Sequence, residues 1–337
     1  MQGGIPSPVL FNVLFDFIIR KVLEDANIRG VRFSHGSNDF FHGAREKHKN
    51  FEVLTLMYAD DLTAMCNTQN DLEKFIQSFE RVTQQYGLTM SAKKTCVMSA
   101  QQFKVDANGG ILRDQEVEQP EIGFEIRKQR IQTTDSFTYL GCVVSRDQRS
   151  DRDMQSGLVK AATAFNMLRG PIWYRKTVSI EAKIRIFRAC VLPVLLYGSE
   201  IWSLTVAQES RLNSFYMRCI RTILGLNLGD RVSNQRVLHL SGQPPLENIM
   251  RRNRLRWFGH VNRMENEDWE ASMAKKMMFS YLPDEKRPSN AGIRKRWEAK
   301  IMDDLAKFDI RNWRRETHDR DKWREIINRR VQSHPCM

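Results

Sequence analysis

Long apolar runs are missing from this sequence. The longest, Ala189 to Tyr197, is interrupted by Pro193 and falls far short of the roughly 20 residues that a helix needs to cross a bilayer. A charged-then-apolar leader is missing too. Both absences lead to the expectation of an intracellular protein, in the nucleus or the cytoplasm, without a membrane partner. Cysteine is scarce: Cys66, Cys96, Cys142, Cys190, Cys219 and Cys336 stand singly, with no C-x-x-C and no Cys/His cluster at zinc-ligand spacing. That pattern excludes a disulfide framework and a zinc knuckle, and leaves reduced thiols packed as small apolar groups. No phosphate-loop pattern, no Ser/His/Asp constellation and no repeat of fixed period can be picked out.

What is present is enough apolar material, 41% of 337 residues, to bury a real core. The net charge of +13 is unevenly placed: residues 1–150 carry 18 Lys/Arg against 19 Asp/Glu, whereas residues 151–337 carry 35 against 21. All seven tryptophans also lie beyond residue 150. Such asymmetry favours a polyanionic partner, because each phosphate neutralised releases condensed counterions. A merely solvated basic surface is the alternative.

The pattern changes along the chain. Ser7-Pro8 opens an apolar stretch to Leu23 that reads as a buried helix, with Ser7 as its cap. Nothing upstream supplies a surface for that helix, so the chain is expected to be truncated. Val53 to Met57 and Leu62 to Met65 read as two strands around an acidic turn, a β-hairpin. Apolar residues at Leu72, Phe75, Ile76, Phe79 and Val82 then recur at helical spacing until Gly87. Short β-prone pieces follow, with a turn at Gly109-Gly110. From Asp151 onward helices are predicted over roughly 151–169, 179–197, 205–224, 231–240, 244–264, 291–307 and 312–331. The expected class is α+β, in three parts: 1–147, 148–282 and 283–337.

Tyr58-Ala59-Asp60-Asp61 carries the chemistry. On a regular strand adjacent carboxylates point to opposite faces, but at a hairpin tip Asp60 and Asp61 can be presented towards one side. Magnesium binds through one or two carboxylates plus substrate phosphates, so this pair suits two-metal nucleotidyl transfer. The flanking Leu56 and Met57 set it apart from an ordinary acidic turn.

With these residues the sequence resembles the reverse transcriptases of non-LTR, LINE-like retrotransposons. Their metal-binding box is matched by Tyr58, Ala59, Asp60 and Asp61. The preceding box is matched by Gln2-Gly3, Ser7-Pro8 and Leu10-Phe11-Asn12, and the following ones by Gly87-Leu88 with Lys93-Lys94-Thr95 and by Phe137 to Gly141. The likeness continues through Leu196 to Trp202, Arg256 to Val261 and Arg294 to Trp297. It implies a truncated polymerase palm, an antiparallel sheet with packed helices, followed by an all-helical thumb and a basic tail. It also implies an RNA template, a DNA primer or target, deoxynucleoside triphosphates and two Mg2+ ions.

Residue by residue, the resemblance makes Asp60 a primary metal ligand and Asp61 its supporting acid. Lys94 is a candidate proton donor to the leaving pyrophosphate; Lys93 and a solvated turn lysine are the alternatives. Tyr58 lies under the primer end, Gln2 and Gly3 border nucleotide and template, and Tyr139, Leu140 and Gly141 grip the primer. The family's other metal-binding aspartate belongs to a box upstream of Gln2. Asp16, inside the first helix, reads as a surface carboxylate and no substitute. This chain alone is therefore expected to be inactive, with weakened metal binding. On the helix around 244–264, Arg251, Arg252, Arg254 and Arg256 beside Trp257 and Phe258 are candidate nucleic-acid contacts. His260 is assigned to packing or a phosphate contact. A non-catalytic RNA- or DNA-binding protein is the rival expectation.

Overall fold

The computed structural model describes residues 4, 6–35, 51–100, 103–105, 111–116, 123, 125–126, 129–264, 269–278, 280–281 and 297–333. The chain divides into two compact units, Met1–Asp135 with Lys276–Ser289, and Ser136–Lys275 with Asn290–Met337.

In the first unit α1 (Ser7–Ala26) is followed by β1 (Val31–His35), β2 (Phe51–Val53), β3 (Thr55–Tyr58), β4 (Asp61–Ala64) and α2 (Gln69–Gln85). The ladders beyond are short: β5 (Cys96–Val97), β6 (Phe103–Val105), β7 (Ile111–Glu116), β8 (Glu125–Ile126), β9 (Gln129–Arg130) and β10 (Gln132–Thr133). The cap of α1 falls one residue earlier than expected, on Pro6, and no side chain bonds there. Its far end closes on Asn27, left-handed at φ 45°, whose N–H donates to the Leu23 carbonyl. Phe15, Ile18, Ile19, Val22 and Ala26 form the buried stripe of α1. Phe15, Ile18, Ile19 and Val22 pack with Phe75, Ile76, Phe79 and Val82 of α2, and with Val97, Ile126 and Ile131. Thr68 caps α2 by accepting from the Asp71 N–H.

The strand expected from Val53 to Met57 is broken at Leu54. On one side of the break β2 pairs with β1, and on the other β3 pairs with β4. Gly30 explains the first pairing: a Cβ there would stand 2.6 Å from the Val53 carbonyl, closer than any side chain tolerates. Among the described residues the strands form ladders of two or three, and no wider sheet. The expected turn at Gly109-Gly110 lies outside the described residues.

The second unit begins with a hairpin, β11 (Ser136–Tyr139) and β12 (Cys142–Ser145), and continues in helices. These are α3 (Asp151–Met167), α4 (Ile180–Cys190), α5 (Leu192–Leu195), α6 (Val206–Leu224), α7 (Asn234–Ser241), α8 (Leu246–Asn262) and α9 (Trp269–Met278). After β13 (Ser280–Tyr281), which pairs with β1 in the first unit, come α10 (Trp297–Lys307), α11 (Trp313–Glu316) and α12 (Arg320–Ser333). Gly225 and Gly242 end α6 and α7 in left-handed conformations. The core gathers Phe165, Trp173, Phe187, Trp202, Leu212 and Tyr216.

The segment expected as a basic tail packs on α8. The Phe258 ring of α8 meets Trp313 at 5.2 Å and Trp323 at 6.4 Å, and the Trp323 indole N–H donates to the Leu255 carbonyl at 2.9 Å. Gly259 admits that approach, since a Cβ would lie 2.2 Å from Trp323 Nε1. Burying each such aromatic contributes roughly 1.5–3 kcal/mol before ordering is counted.

Candidate functional site

The acidic hairpin is positioned by its register. Tyr58 pairs with Asp61, Met57 with Leu62 and Leu56 with Thr63, leaving Ala59 and Asp60 as a two-residue turn. Ala59 is left-handed at φ 52°. A two-residue hairpin with positive φ at its first central residue matches the right-handed strand twist, but usually places glycine there. Cross-strand partners share a face. Leu62 and Ala64 pack on the core between α1 and α2, while Leu56, Tyr58 and Asp61 are exposed. Asp60 is exposed at the turn itself, so both carboxylates stand free at the tip.

Two carboxylates are the hard oxygen donors magnesium prefers. Among the described residues no group of three His, Cys, Asp or Glu side chains could hold a metal. The donor chemistry fits, and the donor number falls short. Asp16 is bound to Arg20 at 2.8 Å on α1, in keeping with a surface carboxylate. Lys93 and Lys94 are both exposed in the turn after Gly87, where the Lys94 and Thr95 N–H groups donate to the Ser91 carbonyl. A cavity of about 230 Å³ is lined by Met90, Ser91, Ala92, Lys93, Ile126 and Gln129, with Lys93 rather than Lys94 at its wall. Gln2 and Gly3 lie outside the described residues.

The Tyr139-Leu140-Gly141 turn belongs to the second unit. Leu140 and Gly141 both have positive φ, 48° and 86°, between paired Tyr139 and Cys142. Sequence reasoning missed what holds it. The Tyr197 hydroxyl donates to the Leu140 carbonyl at 2.8 Å, and its ring would stand 3.1 Å from a Cβ on Gly141. Buried Asp153 accepts from the Val143 N–H at 2.8 Å and from the Trp202 indole at 2.7 Å. Gly198, at φ 75°, leaves room for the Cys142 thiol. The run from Leu196 to Trp202, to which the sequence resemblance assigns no role, buttresses the hairpin through Tyr197 and Trp202. A cleft of about 370 Å³ opens beside it, lined in part by Gly141, Asp153, Lys160 and Tyr197.

The arginines of α8 separate by face. Arg254 is buried, and its guanidinium grips Asp304 of α10 through two bonds, at 2.6 and 3.0 Å. Arg251 donates to Asn248 and Glu247 and lies 3.6 Å from Asp304. Burial pushes the Asp304 carboxyl up, against the pull of Arg254, Arg251 and Lys300. Arg254, expected to contact nucleic acid, is buried with its Nε and Nη2 both donating to Asp304. Arg256 is exposed, Arg252 half-buried, and His260 exposed with its ring 5.4 Å from Trp257.

Comparison with known proteins adds a family match over the first part of the chain. Residues 1–144 match the family described as Reverse transcriptase (RNA-dependent DNA polymerase), a span that includes both the Asp60-Asp61 and the Leu140-Gly141 turns. A transposon-derived protein of Caenorhabditis elegans is 24% identical over 294 residues, covering 82% of this chain and 96% of the worm protein. The fold is accordingly mixed α and β, and no described helix is long and apolar enough to cross a membrane. The likeness to that reverse-transcriptase family is thus confined to residues 1–144, while the likeness to the transposon-derived protein extends over most of the chain.

Proposed function

We propose that this chain is part of an RNA-directed DNA polymerase of a non-LTR retrotransposon, binding an RNA template with its DNA primer. The observation that carries it is the exposed carboxylate pair at a hairpin tip, Asp60 in the two-residue turn and Asp61 at the start of β4, within a segment that matches the reverse-transcriptase family. Asp60 and Asp61 would hold magnesium, which supplies charge neutralisation for nucleotidyl transfer from a deoxynucleoside triphosphate. Tyr58, exposed and directly opposite Asp61 in the ladder, offers its ring to the primer end. The Tyr139–Gly141 turn, held by Tyr197, presents backbone to the primer strand. Lys94 or Lys93 would give a proton to the pyrophosphate.

Among the described residues no third His, Cys, Asp or Glu joins this pair, and a two-carboxylate donor set would hold the metal weakly and leave the chain by itself unable to elongate a primer. That shortfall also favours a second role, binding of RNA or DNA without catalysis. Purified chain is incubated with a primed RNA template, magnesium and deoxynucleoside triphosphates, in parallel with Asp60→Asn. Template binding without extension, unaffected by Asp60→Asn, is expected. Extension lost in Asp60→Asn would overturn the inactivity, and failure to bind the primed template would overturn the polymerase origin.

A further inference from the structure

Among the described residues the second unit carries a cluster of arginines that no carboxylate offsets. Arg252 and Arg256 stand one turn apart on α8, and Arg188 lies in the last turn of α4. Like charges at this helical spacing repel. The Arg252 guanidinium is held below the usual arginine range, first by burial and then by the positive charges of Arg256 and Arg188. Its Nε is buried with no acceptor, and its Nη2 reaches only Asn253 Oδ1, at 3.5 Å. Arg188 and Arg256 are exposed and have no ion-pair partner among the described residues. One face of α8 is thus neutralised by Glu247 and Asp304 through Arg251 and Arg254, while another keeps its charge.

The same face continues along the helix. His260 follows Arg256 by four residues, on the row that begins at Arg252. Its ring lies against Trp257, whose indole N–H is also buried without an acceptor. Uncompensated cations, donors without acceptors and an adjoining aromatic are complementary to one kind of ligand, an oxyanion attached to a base. Guanidinium forks suit phosphate oxygens in particular.

We propose that Arg188, Arg252 and Arg256 form a phosphate-backbone site for nucleic acid, with Trp257 and His260 flanking it. The site rests on the reading of the chain as a polymerase-derived nucleic-acid binder and specifies where on the second unit the strand is held. Arg251 and Arg254, on the same helix, are structural and stay out of it.

The test uses the full chain and a short fluorescein-labelled RNA–DNA hybrid, with binding followed by anisotropy over a potassium chloride series. Arg188→Gln/Arg256→Gln should flatten the salt dependence by about 1.5 in log–log slope, since each phosphate contact contributes roughly 0.7–0.9. Arg311→Gln/Arg329→Gln removes the same charge from exposed arginines paired to Asp309 and Glu325, and should leave the slope unchanged. In thermal melts, inorganic phosphate should raise the wild-type midpoint and have little effect on Arg188→Gln/Arg256→Gln. Equal slopes for wild type and Arg188→Gln/Arg256→Gln would sink the site and leave the polymerase reading standing. Absence of any binding of the hybrid to the wild type would sink both. An equal loss in the control pair, or polyglutamate at matched charge competing for the labelled protein as well as unlabelled hybrid does, would also overturn it.

Discussion

At the residue scale the buried pair of Arg254 and Asp304 is the most exposed to damage by substitution. Both groups have left water, and each is compensated only by the other and its immediate neighbours. Asp304→Asn should strand the Arg254 charge and destabilise the chain by about 3–5 kcal/mol in urea denaturation, whereas Arg254→Met/Asp304→Leu should lose much less. Equal losses would show that the pair is not what the site depends on.

Titration adds a second expectation. Cys219 is buried, and burial pushes its thiol from 9.0 up to about 12. The folded chain therefore keeps a proton that the unfolded chain gives up above pH 9. Stability from this group is full below that pH and falls as pH rises, by about 1.4 kcal/mol per unit until the folded thiol itself ionises. The buried Tyr216 phenol, also pushed up by burial, works in the same direction from about 10. Urea midpoints measured below and above pH 9 should drop less steeply in Cys219→Ala than in the wild type; parallel slopes would contradict it.

Among the elements, the hairpin at Leu140-Gly141 is the one whose support is plainest. Tyr197→Phe removes the donor to the Leu140 carbonyl, and should weaken the hairpin by about 1 kcal/mol. Asp153→Asn turns one of two acceptors into a donor facing the Val143 N–H or the Trp202 indole, and should cost about 2 kcal/mol. Amide hydrogen exchange at Val143 should accelerate in Asp153→Asn more than in Tyr197→Phe, and protection unchanged in both would refute the buttress.

How far such elements can be read from sequence follows from what they depend on. The α2 stripe and the glycine stops at Gly225 and Gly242 are visible because periodicity and positive φ are local properties. The acidic hairpin is legible for the same reason, its register following from alternation around a short turn. Arg254 and Arg256 look alike in sequence; what separates them is Asp304, 50 residues beyond Arg254. Asp153 and Tyr197 were likewise hidden, since their partners in the hairpin are distant or lie on the backbone. The close approach of Gly30 to the backbone beside the break at Leu54 is likewise something no run of apolar residues announces.

For the whole molecule, the two large apolar clusters share no residue and fall in different units. All seven tryptophans lie in the second unit. Tryptophan emission therefore reports on that unit, while far-ultraviolet dichroism reports on both. The two signals should trace non-coincident urea transitions. Superimposable curves would mean that both cores melt as one.

Gly259 sits in the interior of α8, where glycine weakens a helix by about 1 kcal/mol relative to alanine. Its missing methyl is the space through which the Trp323 indole reaches the Leu255 carbonyl. A single hydrogen atom in place of a side chain thus decides whether the end of the chain can dock, and the helix accepts a local weakness so that a segment more than sixty residues away has somewhere to land.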